Sequence, residues 1–274
     1  MKLTARTKLL AVIGDPVAHS LSPIMQNGWI ADHGLDAVYV ALQLKSNHPV
    51  AAIRALKSYG FAGANVTVPH KESAAQAADR SETTAANVLC WSDDGLLVAH
   101  NTDGVGFLDA LTEAAADWRT RVSRVLIVGA GGAAVGVAQA LSPHAATIHI
   151  ANRTAERAEA VARGLPNGRA LRWDDLERAF GAADLIVQTT TLGMEGEPAP
   201  EWPVAYCRPT AIIADIVYRP LETELLAAAR ARGLTTMDGL GMLIHQGARA
   251  FELWFGVKPD TNQARKRLIE ALET

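Results

Sequence analysis

The segment that most constrains this chain is residues 125–134, V-L-I-V-G-A-G-G-A-A. An apolar, β-branched run breaks into glycines and then into a helix-forming stretch, Ala133–Leu141. Gly129, Gly131 and Ala134 fit the G-x-G-x-x-G/A fingerprint that opens a dinucleotide-binding βαβ unit. In that pattern the first glycine permits a tight turn and the second lets backbone approach a pyrophosphate. The small third residue lets helix and strand pack closely, with the phosphates at a helix N-terminus.

Asn152-Arg153-Thr154-Ala155-Glu156-Arg157 falls where the second strand of that unit should end. An Asp or Glu at the strand end would select NAD through the ribose 2′-hydroxyl. Here the chain offers Arg153 and Arg157 instead. Guanidinium groups are always charged and grip a phosphate with two parallel hydrogen bonds. Two arginines can also be ordinary solvated helix charges. At this place in a βαβ unit they point to NADP and to a redox enzyme.

The chain has 274 residues, enough for two domains of ordinary size, and 49% of them are hydrophobic. A net charge of −3 and a pI near 6.2, with no basic stripe, argue against nucleic acid as the main partner. Cys90 and Cys207 stand far apart and form neither a redox nor a zinc spacing. No metal-ligand pattern is evident, so no metal is expected. Lys2, Arg6 and Lys8 precede an apolar run, Leu9–Ile13, that is too short for a signal-peptide core. The longest apolar run, 125–141, is already explained as strand, turn and helix. The expectation is a reduced cytoplasmic protein with no membrane span.

Hydrophobic runs alternate between strand and helix. The N-terminal part reads as a strand over Leu9–Gly14 and a helix over Ser22–His33, with Ser22 as N-cap, Pro23 at N1 and Gly34 at C′. A strand over Ala37–Leu44, a helix over Pro49–Tyr59 closed by Gly60, a strand over Gly63–Val68 and a short helix over Glu72–Ala78 follow. Val88–Trp91 and Leu96–Ala99 flank Asp93-Asp94-Gly95, a hairpin signal. Gly104–Ala116 reads as a helix bridging two domains.

Strand-like runs at Val122–Val128, Thr147–Ala151, Leu185–Thr189, Ala211–Ile216 and Thr235–Met237 follow, most of them separated by helical stretches. That alternation means right-handed crossovers and a parallel sheet. Met242–Phe255 and Asn262–Leu272 are helical and return to the first domain. The predicted class is α/β. An N-terminal α/β substrate domain, residues 1–103 with 242–274, joins a doubly wound Rossmann domain, residues 104–241. The active site is expected in the cleft between them, outside the carboxyl ends of the strands.

Four clusters are richer in polar residues or glycine than their surroundings require. The first, residues 14–23, places Ser20 and Ser22 after the first strand. They are either helix caps or hydroxyls that hold a ligand. In the second, strand alternation sets Asn65 and Thr67 on one side, and Lys71 comes just after Pro69. A lysine at a helix start is disfavoured by the helix dipole. It is either a plain surface residue or kept there for another reason. In the third, Asp103 either caps the following helix or faces such a lysine. A Lys–Asp pair would supply the proton that an alkoxide needs after hydride reduction of a ketone. The fourth, residues 238–246, ends a strand and starts a helix that carries His245 and Gln246. His245 and His19 read as bland residues rather than bases.

Taken in order, A-H-S-L-S-P (18–23), G-A-N-V-T-V-P-H-K (63–71), N-T-D-G-V-G (101–106), V-G-A-G-G-A (128–133), N-R-T-A-E-R (152–157), D-I-V-Y (215–218) and D-G-L-G-M-L-I-H-Q-G-A (238–248) resemble the shikimate/quinate dehydrogenase family. The resemblance covers nearly the whole chain. It implies NADP-linked interconversion of 3-dehydroshikimate and shikimate, with Lys71 and Asp103 as the catalytic pair. It implies that Ser20 and Ser22 hold the substrate carboxylate, and that Asn65, Thr67, Asn87, Tyr218 and Gln246 line the remaining pocket. Gly129, Ala130, Gly131, Gly132 and Ala133 would bind pyrophosphate, and Asn152, Arg153, Thr154 and Arg157 the 2′-phosphate. Thr189, Gly239 and Met242 would complete the cofactor site.

Two departures stand out. Ala85-Ala86-Asn87-Val88 replaces the family's usual G-A-V-N-T, after a segment that looks several residues short. Gln188-Thr189-Thr190 stands where the family often has N-A-T or N-T-T. The first is expected to reshape one pocket wall, the second to move the loop over residues 191–193. A quinate or aminoshikimate paralogue and a non-catalytic NADPH-binding sensor remain as alternatives, and the chain is expected as a monomer or homodimer.

Overall fold

The computed structural model describes residues 3–273. Lys2 and the two chain ends of the expected first domain, residues 1 and 274, lie outside them. The chain divides into two compact units. One holds the residues up to Thr102 and those from Gln246 onward, and the other holds Asp103–His245. Asp103 and residues 242–245 therefore belong to the second unit, whereas the sequence reading puts Met242 onward in the first and begins the second at Gly104.

The first unit is built on β1 (Lys8–Gly14), α1 (Ser22–Asp32), β2 (Ala37–Gln43), α2 (Pro49–Ala55), β3 (Phe61–Val66), α3 (Lys71–Ala77), β4 (Arg80–Ser81), β5 (Val88–Trp91) and β6 (Leu97–His100). Its six-stranded sheet has the order β2-β1-β3-β5-β6-β4. β1 runs parallel to β2 and β3, while β5 is antiparallel to both β3 and β6. The turn of the β5–β6 hairpin closes at Gly95, at φ +80°, with its N–H 2.8 Å from the Ser92 carbonyl.

Helix α1 corrects one expectation. Leu21, not Ser22, is the N-cap residue, and it makes no side-chain cap. The Ser20 hydroxyl instead accepts the Ser22 N–H at 3.2 Å. Ser22 sits inside the helix, buried. The expected end holds: Gly34 adopts φ +61° just past the helix. Helix α2 is shorter than expected, because successive turns replace it after Ala55 until Gly60 reverses the chain at φ +82°.

The second unit comprises α4 (Asp103–Ala114), α5 (Trp118–Arg121), β7 (Arg124–Val128), α6 (Gly132–Leu141), β8 (Thr147–Ala151), α7 (Ala155–Arg163), β9 (Gly168–Leu171), α8 (Leu176–Ala182), β10 (Leu185–Gln188), β11 (Ile212–Asp215), α9 (Glu224–Ala231) and β12 (Thr235–Met237). All its strands are parallel, in the order β12-β11-β10-β7-β8-β9. This is the doubly wound Rossmann order, with its switch point between β7 and β10. Side chains alternate across the sheet. Val125 and Ile127 join Phe107, Val137 and Leu141 in one core layer, while Leu126 and Val128 join Phe180, Leu225 and Leu226 in the other. Strand β9 has no counterpart in the sequence reading. It is a sheet edge, and its residues G-R-A-L are only partly buried, so no hydrophobic run marks it.

The boundary between the units falls within α10 (Gly239–Phe255), and α11 (Thr261–Leu272) ends the chain. Helix α11 packs beside α1, tied by Arg267 to Asp32 at 2.7 Å. Among the described residues no helix is long and apolar enough to cross a membrane.

Candidate functional site

In the second unit, the turn after β7 is shaped by contact with the turn after β10. Gly129 adopts φ +120°, and a Cβ there would come 2.4 Å from the Thr189 hydroxyl. That hydroxyl donates to the Val128 carbonyl at 2.9 Å, and the Gly129 N–H donates to Ala151 at 2.8 Å. Gly131, the N-cap of α6, and Gly132 differ from Gly129, because a Cβ on either would meet nothing within 4 Å. Ala130 and Ala133 flank them, and Ala134 is fully buried. The loop is therefore closed underneath and open above a helix N-terminus whose first N–H groups have no partner within the helix. That open cradle fits a pyrophosphate.

Beside it, the Asn152 amide donates to the Thr154 carbonyl at 3.0 Å, and Thr154 is the N-cap of α7. Arg153 and Arg157 are exposed and make no ion pair among the described residues. Two uncommitted guanidiniums at the end of β8 fit the 2′-phosphate of NADP. Gly239 and Met242 have packing explanations of their own. A Cβ on Gly239 would lie 2.2 Å from the Ile216 carbonyl oxygen, and Met242 is 7% exposed within a core layer.

Gln188 and Asp215, at the carboxyl ends of β10 and β11, form a hub that the sequence reading did not assign. The Gln188 amide nitrogen donates to the Leu192 carbonyl at 2.9 Å and to Asp215 at 3.3 Å, and its oxygen accepts the Thr190 N–H. The extra methylene of Gln188 thus ties the loop over residues 190–192 to β11. Asp215 also accepts the Val217 N–H at 3.0 Å and the Thr223 hydroxyl at 2.8 Å. Burial pushes its carboxyl up to about 6, against the pull of those two hydrogen bonds. Tyr218 follows, half-buried, with burial raising its phenol and Arg219 lowering it.

In the first unit, distant segments meet in one buried polar row. The Asn87 amide oxygen accepts the Thr102 N–H at 2.7 Å, and its nitrogen donates to Thr102 Oγ1 at 3.0 Å and to Gln246 Oε1 at 3.1 Å. The Thr102 hydroxyl donates to the Gln246 carbonyl at 3.0 Å. Asn65 Nδ2 donates to the Asn87 carbonyl at 3.2 Å, and Asn65 Oδ1 accepts the Tyr39 hydroxyl at 2.7 Å. Burial pushes that phenol well above its ordinary range. The short segment before Asn87 still reaches this row: the Ala86 N–H donates to the Lys71 carbonyl and Asn101 holds the Ala85 carbonyl.

Thr67 lies just past β3, not within it as expected, and a Cβ on Gly14 would come 2.4 Å from its methyl. Lys71 is the first residue of α3, half-exposed, after the buried His70 whose Nε2 lies 2.8 Å from the Leu44 carbonyl. Asp103 is the first residue of α4 in the second unit and is 5% exposed. The structure therefore brings Asn65, Asn87 and Gln246 into one network with Tyr39 and Thr102. The sequence reading gives neither of these two a role. Tyr39 looks there like an ordinary apolar position in a strand, and Thr102 a residue of the N-T-D-G turn.

Comparison with known proteins covers both units. Residues 12–89 match the shikimate dehydrogenase substrate binding domain, 111–194 the shikimate/quinate 5-dehydrogenase model and 239–269 the shikimate 5′-dehydrogenase C-terminal domain. Shikimate dehydrogenase (NADP(+)) of Rhodospirillum rubrum is 42% identical, over 97% of this chain and 98% of that one. The enzyme of the same name from Acidiphilium cryptum is 43% identical, over 99% of each. Among solved structures, Thermus thermophilus shikimate 5-dehydrogenase in complex with NADP(H) and shikimate superposes with a TM-score of 0.84 at 35% identity, covering 96% of this chain and 99% of that one. Quinate dehydrogenase from Corynebacterium glutamicum in complex with NAD gives 0.89 at 31%, covering 96% and 99%. By full-length similarity and by its two folds, the chain belongs to the shikimate dehydrogenase family.

Proposed function

We propose that this protein is an NADP-dependent oxidoreductase that interconverts 3-dehydroshikimate and shikimate. The observation that carries the reading is the match, along nearly the whole chain, to curated NADP(+) shikimate dehydrogenases. The open cradle at Gly131 and Gly132 and the uncommitted Arg153 and Arg157 support it. In this reading residues 129–133 hold the pyrophosphate, with Thr189, Gly239 and Met242 around the rest of the cofactor. Asn152, Arg153, Thr154 and Arg157 hold the 2′-phosphate. When bound, NADP supplies the hydride exchange. Lys71 gives its ammonium proton to the ketone oxygen as the alcohol forms and takes it back in the reverse direction. Asp103 keeps that ammonium charged. Ser20 and Ser22 form the carboxylate end of the substrate site, and Asn65, Thr67, Asn87, Tyr218 and Gln246 its hydroxyl wall.

The enzyme acts, in this reading, in the cytoplasm as a monomer or homodimer. Cys90 and Cys207 are free thiols. Nicotinamide absorbance in the presence of NADP and either shikimate or quinate tests the assignment. Quinate adds a hydroxyl at the carbon that bears the carboxylate, and leaving it unpaired costs about 1–3 kcal/mol, roughly 10–200-fold in kcat/KM. A quinate value equal to or above the shikimate value moves the chain to the quinate branch of the family.

A further inference from the structure

We propose that Tyr39 is a positioning residue of the substrate site, one whose phenol dictates which atoms Asn65 turns toward the ligand. The inference rests on the reading of Asn65 as a substrate residue. Tyr39 is 2% exposed, on β2, with Trp254 of α10 tilted against its ring at 6.0 Å between centroids.

The hydrogen-bond directions in this row follow from counting donors. The Asn87 carbonyl is an acceptor only, and it receives both the Val66 N–H at 2.8 Å and Asn65 Nδ2 at 3.2 Å. The Asn65 amide nitrogen therefore faces Asn87, and Asn65 Oδ1 faces the phenol. A phenol has one hydrogen. Tyr39 commits it to Asn65 Oδ1 at 2.7 Å. Asn65 then keeps one N–H beyond the bond to Asn87, and that N–H is what it turns toward the ligand.

Tyr39→Phe keeps the ring but deletes the donor. It frees the Asn65 amide to rotate and leaves its oxygen without a partner.

The experiment measures steady-state constants for the full chain and for Tyr39→Phe, Asn65→Ala, Asn65→Asp and the double variant Tyr39→Phe/Asn65→Ala. Thermal unfolding checks that each is folded. Tyr39→Phe should raise the shikimate KM about tenfold while the NADP KM and kcat stay within about threefold, a split that general loss of structure does not produce. Its effect should shrink in the Asn65→Ala background, because the two residues share one hydrogen bond. An unchanged shikimate KM in Tyr39→Phe, with Asn65→Ala impaired, overturns the role of Tyr39, and so does a Tyr39→Phe effect undiminished in the Asn65→Ala background. If Tyr39→Phe does not fold, Asn65→Asp decides: with its N–H groups gone it should raise the shikimate KM, and an unchanged value overturns the assigned directions. If Asn65→Ala leaves the shikimate KM unchanged, the substrate-site reading fails and the inference falls with it.

Discussion

The two units solve the problem of building a site in different ways. In the second, the surface offered to the pyrophosphate is backbone, a glycine turn after β7 and a bare helix N-terminus, joined by two uncommitted side chains, Arg153 after β8 and Arg157 within α7. In the first, the polar groups are side chains drawn from five segments, Tyr39, Asn65, Asn87, Thr102 and Gln246, joined by buried hydrogen bonds. A backbone site needs few residues and tolerates change around them. A side-chain network specifies orientation, and each member depends on the others.

The largest effect should come from Lys71→Ala, in the side-chain half. Loss of a general acid costs about 10²–10⁴ in turnover. Binding of NADP, measured by nucleotide fluorescence, should persist. Turnover within a few fold of the parent would remove Lys71 from the mechanism.

Next comes the cofactor half. Replacing both Arg153 and Arg157 with Gln should raise the NADP KM about a hundredfold, from the loss of charge-assisted hydrogen bonds. The constants for NAD should barely move. Equal use of NAD and NADP by the parent would contradict the 2′-phosphate reading.

Asp215 tests whether the second unit also contains a side-chain network under strain. Its carboxyl is raised from 3.8 to about 6, so the buried charge costs stability once it forms. Well below pH 3.8 the group is protonated in both folded and unfolded chains and contributes nothing. As pH rises from there to about 6 the folded state loses stability on the order of 2–3 kcal/mol from this group. Asp215→Asn should therefore gain on the parent in unfolding free energy between those limits, with a constant difference above them. Parallel curves for the two proteins in urea titrations across that range would refute it.

The smallest expected effect separates two glycines of one loop. Gly129→Ala forces a side chain onto φ +120° and against Thr189, and should destabilise by about 1–3 kcal/mol. Gly131→Ala meets no atom within 4 Å and should leave the melting temperature unchanged while weakening NADP binding. If both variants melt like the parent, the strain assigned to the turn is absent.

The sequence by itself determined the α/β class, the parallel doubly wound sheet, the glycine turn and the arginines at the end of β8. Each of these is a local signal. Hydrophobic period, a residue that must take positive φ and a charge at a fixed chain distance are all written within a few residues of the place where they act. Even there, edge strand β9 escaped, because an edge buries little and carries no apolar run. Tertiary structure alone decided that Ser22 lies within α1 and not at its cap, that Gln188 fastens its loop to Asp215, and that Asn87, despite the altered segment before it, meets Gln246. Those bonds join residues up to 159 positions apart. A buried amide or hydroxyl must find a partner, but nothing in its immediate sequence names which one. Only the packed chain brings the candidates within hydrogen-bond distance of one another, and the directions of their hydrogen bonds, from Tyr39 through Asn65 to Asn87, exist only there.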